Sequence, residues 1–162
     1  MYKVAIITAS DKGYAGERED KSGSVIEEIV TAHELEVTGK VIIPDDRQML
    51  SDQMLNYCHQ GIDLILTTGG TGFSKRDVTP EATADIVERR ADNLTFAMIA
   101  NSLQYTPKAM LSRGIAGIRE NTLIVNLPGS PKAVRENLEY AIDAIIHGDK
   151  ILKGDDAECA RK

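Results

Sequence analysis

Residues 62–72 read IDLILTTGGTG, and the loop that they open continues through RDVTP at 76–80. The short apolar run at 62–66 is typical of a buried strand. A strand that enters a glycine-rich turn and then a helix start often forms an anion cradle. Glycine lets backbone N–H groups approach a phosphate closely, and the helix N-terminus adds favourable partial charge. Because Asp77 lies in the same loop, the pattern favours metal-assisted phosphate chemistry over simple phosphate storage.

The rest of the chain alternates β-branched runs with amphipathic segments. We expect strands at 4–8, 37–43, 62–66 and 122–127, and helices at 24–33, 49–57, 94–103 and from 131 onward. Thr79 is expected to cap a further helix, with Pro80 at its first position. The alternation predicts a three-layer α/β/α sandwich around a mostly parallel sheet. Ligands of such sheets bind outside the carboxyl ends of the strands.

Composition narrows the class of protein. The chain has 162 residues, a net charge of −6, and 42% hydrophobic residues. We expect a single domain over residues 1–153 and a polar, frayed tail over 154–162. The negative charge argues against nucleic-acid binding, and no apolar stretch reaches the length of a membrane span. Cys58 and Cys159 form no metal-type pair, and no signal-peptide pattern is present, so we expect a cytoplasmic protein.

The glycine loop lacks two familiar nucleotide-binding signatures. A P-loop would need Gly-Lys-Ser/Thr at a spacing that no window from Gly69 onward supplies. A dinucleotide fingerprint that starts at Gly70 would need a glycine where Lys75 stands. A tight strand-to-helix connection without a ligand is the simpler alternative. The small residues followed by Lys75, Arg76 and Asp77 exceed what such a turn requires, so we favour a binding function.

Acidic residues after the second and third strands are candidate metal ligands. Asp45 or Asp46 could be an ordinary helix cap, and Asp77 could merely complement a helix dipole. Because both loops leave the same edge of the sheet, two carboxylates could converge on the phosphate cradle and hold Mg²⁺. The loop at 10–11 and the turn at 128–131 are further polar edges of the site. The alternative is an ordinary polar surface loop for the first and helix capping for the second.

Several of these segments together resemble one protein family. They are SDK at 10–12 with DKSG at 20–23, IPDD at 43–46, the stretch 67–83, AMLSR at 109–113 and NLPGSP at 126–131. Over nearly the whole chain they resemble the MogA/MoaB family of molybdenum-cofactor biosynthesis, which also occurs as the G domain of gephyrin. The run GGTG-x-x-x-RDVTPEAT is the most specific part of the resemblance.

The resemblance implies an activity and a set of site residues. Members of the family bind molybdopterin and, with Mg²⁺, join AMP from ATP to its terminal phosphate and release pyrophosphate. By resemblance, Asp45 and Asp77 are the catalytic and metal-binding residues. The substrate-binding residues implied are Ser10, Asp11, Gly69, Gly70, Thr71, Gly72, Pro128, Gly129 and Ser130. The resemblance also implies a homotrimer and hand-over of the product to a molybdenum insertase.

One segment departs from the family pattern. Between residues 90 and 102 the family commonly carries Pro-Gly and then Glu and Arg in a helix, whereas Phe96 and Ile99 stand at the charged positions here. Two other functions therefore stay open. One is a non-catalytic molybdopterin carrier or scaffold, and the other is a phosphate-transfer enzyme that needs no pterin. Retention of Asp45 and Asp77 favours the transferase, because pterin binding alone requires no metal pair.

Overall fold

The computed structural model of the protein describes residues 1–155. Its strands are β1 (Lys3–Ala9), β2 (Glu36–Ile43), β3 (Leu64–Thr68), β4 (Arg89–Arg90), β5 (Ala116–Arg119) and β6 (Thr122–Leu127). They form one sheet in the order β2-β1-β3-β6-β5-β4. β1 pairs in parallel with β2 and β3, and β3 pairs in parallel with β6. β5 runs antiparallel to both β6 and β4.

Helices cover both faces of this sheet. They are α1 (Asp11–Tyr14), α2 (Lys21–Ala32), α3 (Arg47–His59), α4 (Thr79–Ala84), α5 (Asp92–Ser102) and α6 (Pro131–Lys153), with a 3-10 turn at Pro107–Leu111. Successive strand residues point to opposite faces. Ile6, Leu66 and Val125 therefore pack in the layer of α2, α5 and α6. Ile7, Ile65 and Ile124 pack in the layer of α3 and α4. The predicted three-layer sandwich is confirmed.

Several elements of the structure differ in their bounds from the prediction, and others were not predicted. β3 starts and ends two residues later than predicted, because Thr67 and Thr68 continue the ladder opposite Ile7 and Thr8 of β1. α1, β4 and β5 are too short to give a periodic sequence signal, and they were not predicted. Of the predicted polar tail, residues 156–162 lie outside the described part of the chain. No helix within residues 1–155 is long and apolar enough to cross a membrane.

The predicted cap of α4 is wrong. The helix begins at Thr79 itself, the cap position is Val78, and Val78 makes no side-chain cap hydrogen bond. Thr79 instead donates its backbone N–H to the carbonyl oxygen of Gly70, at 3.1 Å. That bond draws Thr79 under the glycine loop, where its side chain is completely buried. Pro80 lies in the first turn of the helix, where its missing N–H costs nothing.

Candidate functional site

Two cavities flank the glycine loop at the carboxyl ends of β1, β3 and β6. The first cavity, of about 480 Å³, lies between this loop, α5, the 3-10 turn and the start of α6. The second cavity, of about 800 Å³, lies between this loop, the end of β1 and the start of α2. Both are lined by Gly70, Asp77, Gly129 and Ser130. The glycine loop and the turn after β6 therefore form a wall that the two cavities share.

The two cavities differ in chemistry. Apolar side chains of Met98, Ile99 and Leu111 line the first cavity, together with small polar residues. Such a lining suits a largely uncharged ring system. The second cavity has a polar lining and also faces the N-terminus of α2, which Asp20 caps. Its charged residues are the cations Arg18 and Lys21 and the carboxylates Glu19, Asp20, Asp45 and Asp77. Cationic side chains and a helix N-terminus together suit phosphate groups.

The glycine loop can adopt its path only because it lacks side chains. Gly69 and Gly70 have φ angles of 87° and 69°, in the left-handed region. A Cβ atom on Gly69 would lie 2.4 Å from the carbonyl oxygen of Ala9. A Cβ atom on Gly72 would lie 2.9 Å from Oδ2 of Asp77. The bare backbone thus lets the loop lie against β1 on one side and against the Asp77 carboxylate on the other.

The structure separates the roles of the two adjacent aspartates after β2. Asp46 is the cap of α3, because its side chain accepts a hydrogen bond from the backbone N–H of Met49 at 2.8 Å. Asp45 is left to face the second cavity. Oδ2 of Asp45 accepts from the backbone N–H of Asp11 at 3.1 Å, whereas Oδ1 is buried without a partner. Of the two aspartates, Asp46 is therefore the helix cap and Asp45 is the one that lines the second cavity.

Asp45 lies in an environment that disfavours its negative charge. Burial is the main cause that raises its pKa, and the charges of Asp11 and Asp77 raise it further. The hydrogen bond from the backbone of Asp11 and the charge of Arg76 act in the opposite direction. A half-buried carboxylate beside other carboxylates, with one oxygen unpaired, is suited to bind a cation.

Asp11 braces this loop rather than lining a cavity. Its Oδ1 accepts from the backbone N–H of Asp45 at 3.0 Å, so the two aspartates exchange hydrogen bonds. Arg76 binds both carboxylate oxygens of Asp11, at 3.0 and 2.9 Å, and this lowers the pKa of Asp11. Asp11 is the only predicted site residue that lines neither cavity within the described chain. The structure therefore gives no support to its expected contact with substrate.

The other predicted site residues come together around the shared wall. Ser10, Asp45 and Gly69 line the second cavity, and Thr71, Gly72 and Pro128 line the first. Gly70, Asp77, Gly129 and Ser130 line both. Helix capping, the alternative considered for the turn at 128–131, is also observed, and it occurs at Ser10 as well. Ser10 accepts from the N–H of Gly13 at 2.9 Å, and Ser130 accepts from that of Ala133 at 3.1 Å.

Sequence reasoning missed the role of Arg113. Its guanidinium donates to the carbonyl oxygens of Gly72 and Asp77, both at 2.8 Å, and pairs with Glu81. Its backbone N–H donates to the carbonyl oxygen of Thr71, also at 2.8 Å. Arg113 thus fastens both ends of the loop that carries Asp77. The only sequence signal was its place in the segment at 109–113, which does not reveal these partners.

The departure from the family pattern falls partly on the first cavity. Ile99 lines this cavity, so an aliphatic side chain stands where the resemblance would place a charged one. Phe96 points to solvent, with 71% of its surface exposed. The charged side chains that do line the first cavity are Asp77, Lys108 and Glu136. Neither Phe96 nor Ile99 lines the second cavity, where Asp45 lies.

The carboxylates fit a magnesium ion that shares its coordination with substrate. Mg²⁺ is usually bound by one or two carboxylates together with substrate phosphates and water. Asp45 and Asp77 line the same cavity, and Asp45 has an unpaired oxygen. Within residues 1–155, no group of three or more His, Cys, Asp or Glu side chains could hold a metal by itself. Further ligands would therefore have to come from phosphate oxygens and water.

Comparisons with known proteins point to one family. Residues 5–147 match a family described as a probable molybdopterin binding domain. The chain is 38% identical over 154 residues to the molybdopterin adenylyltransferase of Helicobacter pylori strain J99, covering 93% of this chain and 88% of the relative. It is 42% identical to gephyrin of Dictyostelium discoideum, but it spans only 21% of that protein's length.

Solved structures show the same fold. The molybdopterin biosynthesis enzyme MoaB from Thermus thermophilus superposes with a TM-score of 0.90 at 42% identity, covering 95% of this chain and 98% of that one. A structure of MogA superposes with a TM-score of 0.89 at 31% identity, covering 93% and 99%. The family match, the curated relatives and the two structures confirm the resemblance seen in the sequence. The chain belongs to the molybdopterin-binding domain family that includes MogA and MoaB.

Proposed function

We propose that the protein is a molybdopterin adenylyltransferase of the cytoplasm. In this reaction a phosphate oxygen of molybdopterin attacks the α-phosphorus of ATP. A new P–O bond forms, the bond to the β-phosphate breaks, and pyrophosphate leaves. The observation that carries the proposal is the pair of cavities whose shared wall includes Asp77 and the glycine loop. The names and high coverage of the bacterial relatives support it.

The chemistry of the cavities suggests which substrate each would hold. The apolar lining of the first cavity, with Met98, Ile99 and Leu111, suits the pterin ring. Arg18, Lys21 and the N-terminus of α2 at the second cavity suit the triphosphate of ATP. The two reacting phosphates would then meet at the shared wall. Holding two reactants in line at one point removes much of the entropic barrier to their reaction.

Both reacting groups are negatively charged, so the site must neutralise charge. When bound, Mg²⁺ would supply most of that neutralisation and would orient phosphate oxygens. Asp45 and Asp77 would hold it from one side of the second cavity. Arg18 and Lys21 line that cavity directly. Lys75 and Arg76, which follow the glycine loop in the sequence, line neither cavity, and Arg76 is paired with Asp11.

Assembly and onward transfer are part of the proposal. Large apolar side chains of Phe96, Leu103 and Met110 are exposed on α5 and the segments that follow it. Large exposed apolar side chains, where they form a patch, often mark contact with another chain. It supports a homotrimer, which the family resemblance implied. We also propose that the adenylylated product passes to a molybdenum insertase, because gephyrin contains a region similar to this chain as a small part of its length.

A non-catalytic molybdopterin carrier is the second candidate. The observation that favours it is Ile99, which gives the first cavity an aliphatic wall where the family commonly carries a charged residue. The carrier would bind molybdopterin without needing Asp45 and Asp77 to bind metal. Asp45 argues for the transferase instead, because its half-buried carboxylate lies beside the negative charges of Asp11 and Asp77, and a bound cation would offset the cost of that arrangement.

The deciding experiment measures pyrophosphate release from ATP by the purified protein, with and without molybdopterin and with and without Mg²⁺. The transferase requires release that depends on both, with adenylylated pterin formed in equal amount. Tight molybdopterin binding without pyrophosphate release would establish the carrier. Release that does not depend on molybdopterin would indicate another phosphate-transfer enzyme.

A further inference from the structure

Unpaired buried atoms concentrate around the glycine loop. In residues 1–155, five buried side-chain atoms lack a hydrogen-bond partner, and three of them belong to Asp45, Thr79 and Glu81. Folded proteins satisfy the great majority of their buried polar atoms, so each exception needs a physical reason. Glu81 already pairs with Arg113 through its other oxygen. Asp45 and Thr79 are more informative, because the carboxylate oxygen of Asp45 accepts hydrogen bonds and the hydroxyl of Thr79 can donate one.

The hydroxyl of Thr79 serves no visible purpose in the fold. It does not cap α4, because the cap position is Val78 and no side-chain cap bond forms there. The backbone N–H of Thr79 is used by Gly70, and its carbonyl oxygen accepts from the hydroxyl of Thr83 at 2.8 Å. Only the side-chain oxygen of Thr79 lacks a hydrogen-bond partner. Valine would fill the same volume without the cost of a buried, unpaired hydroxyl.

This hydroxyl and the unpaired oxygen of Asp45 both lie beside Gly70. A Cβ atom on Gly70 would lie 2.2 Å from Oγ1 of Thr79 and 3.1 Å from Oδ1 of Asp45. The space that Gly70 leaves empty is therefore bordered by both unpaired atoms. A hydroxyl donates one hydrogen bond, and an ionised carboxylate only accepts, so the two atoms are complementary. The other carboxylate oxygen of Asp45 is already engaged by Asp11.

We propose that Thr79 is a positioning residue for Asp45. Its hydroxyl donates to Oδ1 of Asp45 when the second cavity holds a magnesium–nucleotide complex, and this bond fixes the orientation of the carboxylate. The inference rests on the proposed function, in which Asp45 holds Mg²⁺. Thr79 acts from behind the glycine loop, since its side chain is fully buried. It therefore acts through Asp45 and touches neither substrate.

The test compares Thr79→Val with Thr79→Ser. The first removes the hydroxyl and keeps the volume, whereas the second keeps the hydroxyl. Affinity for Mg²⁺ is measured by titration in the presence of a non-hydrolysable ATP analogue, so that the readout does not require turnover. Since a hydrogen bond to a charged group is at stake, we expect Thr79→Val to weaken Mg²⁺ binding about tenfold. Thr79→Ser should retain binding close to that of the unchanged protein.

Steady-state kinetics give a second readout. Thr79→Val should lower kcat and raise the Mg²⁺ concentration needed for half-maximal rate, with KM for molybdopterin unchanged. Thr122→Val is the matched control, because the hydroxyl of Thr122 is also buried and donates to the carbonyl oxygen of Ile62 at 2.7 Å, at the opposite end of the strands. Thr122→Val should lower the free energy of unfolding but leave the affinity for Mg²⁺ unchanged. Thr79→Ala replaces Thr79→Val if the latter does not fold.

The outcomes separate this inference from the function on which it rests. If the unchanged protein binds Mg²⁺ with nucleotide and transfers AMP, but Thr79→Val binds Mg²⁺ equally well, the inference is overturned and the proposed function stands. Equal loss in Thr79→Val and Thr79→Ser also overturns it, because the hydroxyl would then not be the cause. If the unchanged protein shows no Mg²⁺-dependent binding or transfer, the proposed function fails and the inference fails with it.

Discussion

The guanidinium of Arg113 donates a hydrogen bond of 2.8 Å to the backbone carbonyl oxygen of Asp77, across 36 positions of sequence. The same side chain holds Gly72 and pairs with Glu81. Arginine is suited to this task because its planar head presents several donors in a fixed geometry. The position of the Asp77 loop therefore depends on a residue outside the glycine motif. A lysine at this position could donate hydrogen bonds to only some of these acceptors.

Replacement of Arg113 by lysine should destabilise the protein and reduce turnover. Buried carbonyl oxygens would lose their donors, which costs about 1–3 kcal/mol. Urea unfolding measures the loss, and pyrophosphate release measures the effect on the site. Arg47→Lys is the control, since Arg47 pairs with Asp85 at the surface, where an ion pair contributes about 0–1 kcal/mol. Equal effects of the two substitutions would show that the loop does not depend on Arg113.

Asp45→Asn and Asp77→Asn should each abolish most turnover while the protein still binds molybdopterin. Loss of one group that stabilises charge in a transition state commonly lowers kcat by about 10²–10³-fold. Pyrophosphate release and molybdopterin binding are measured on the same preparations. Asp52→Asn, at a surface position of α3, controls for loss of one negative charge. Unchanged turnover in either site variant would remove that residue from the metal-binding role.

Two substitutions of Asp11 should have different effects. Asp11→Asn keeps an oxygen that accepts from the backbone N–H of Asp45, whereas Asp11→Ala removes it. Both lose the charged pair with Arg76, which is largely exposed and so weak. We therefore expect Asn to retain most of the turnover and Ala to lose about tenfold, the equivalent of one hydrogen bond. Loss of similar size in both would instead identify the charge of Asp11 as the important property.

Gly69→Ala should destabilise the protein more than Gly16→Ala does. Both glycines have positive φ angles, of 87° and 77°, so both substitutions incur a similar backbone strain. Only at Gly69 would the new Cβ meet another atom, the carbonyl oxygen of Ala9 at 2.4 Å, whereas nothing lies within 4 Å at Gly16. Overpacking adds about 1–3 kcal/mol. Chemical unfolding of the two variants measures the difference, and equal stabilities would contradict the steric explanation.

Asp149 should make stability fall as pH rises. Burial raises its pKa to about 8, with a further contribution from Asp63 that Lys153 opposes. The folded protein therefore keeps a proton that the unfolded chain releases above its ordinary pKa near 3.8. Stability is lost between about pH 4 and pH 8, by at most about 1.4 kcal/mol for each pH unit. Asp149→Asn should flatten this part of the curve of unfolding free energy against pH.

The sequence predicted the central part of the fold because its signals are local and strong. β1 and β6 carry mostly apolar or β-branched residues, and the long helices after them, α2 and α6, are amphipathic. β4 has only two residues, Arg89 and Arg90, both exposed, and its pairing with β5 depends on a distant segment. α1 has four residues. Elements this short are defined by tertiary contacts, which a single sequence does not display.

The positions of the candidate site residues could be predicted from the sequence, but their hydrogen bonds could not. The carboxyl ends of parallel strands meet at one edge, so the convergence of Asp45 and Asp77 followed from the order of the elements. The hydrogen bonds of Asp11 with Asp45, and of Arg113 with the glycine loop, span 34 to 41 positions. Thr79 was misassigned because a threonine before proline is an ordinary capping signal, and burial against Gly70 has no mark in the sequence.

The wall shared by the two cavities has a consequence for what leaves the protein. Gly70, Asp77, Gly129 and Ser130 line both sides of it, so a molecule that joins a pterin to a nucleotide can occupy both cavities at once. Such a bivalent ligand binds more tightly than either half, because the second half is held at high effective concentration. The adenylylated product would be a ligand of this kind. Its departure, rather than bond formation, would then limit the rate, and a partner that withdraws it would accelerate turnover.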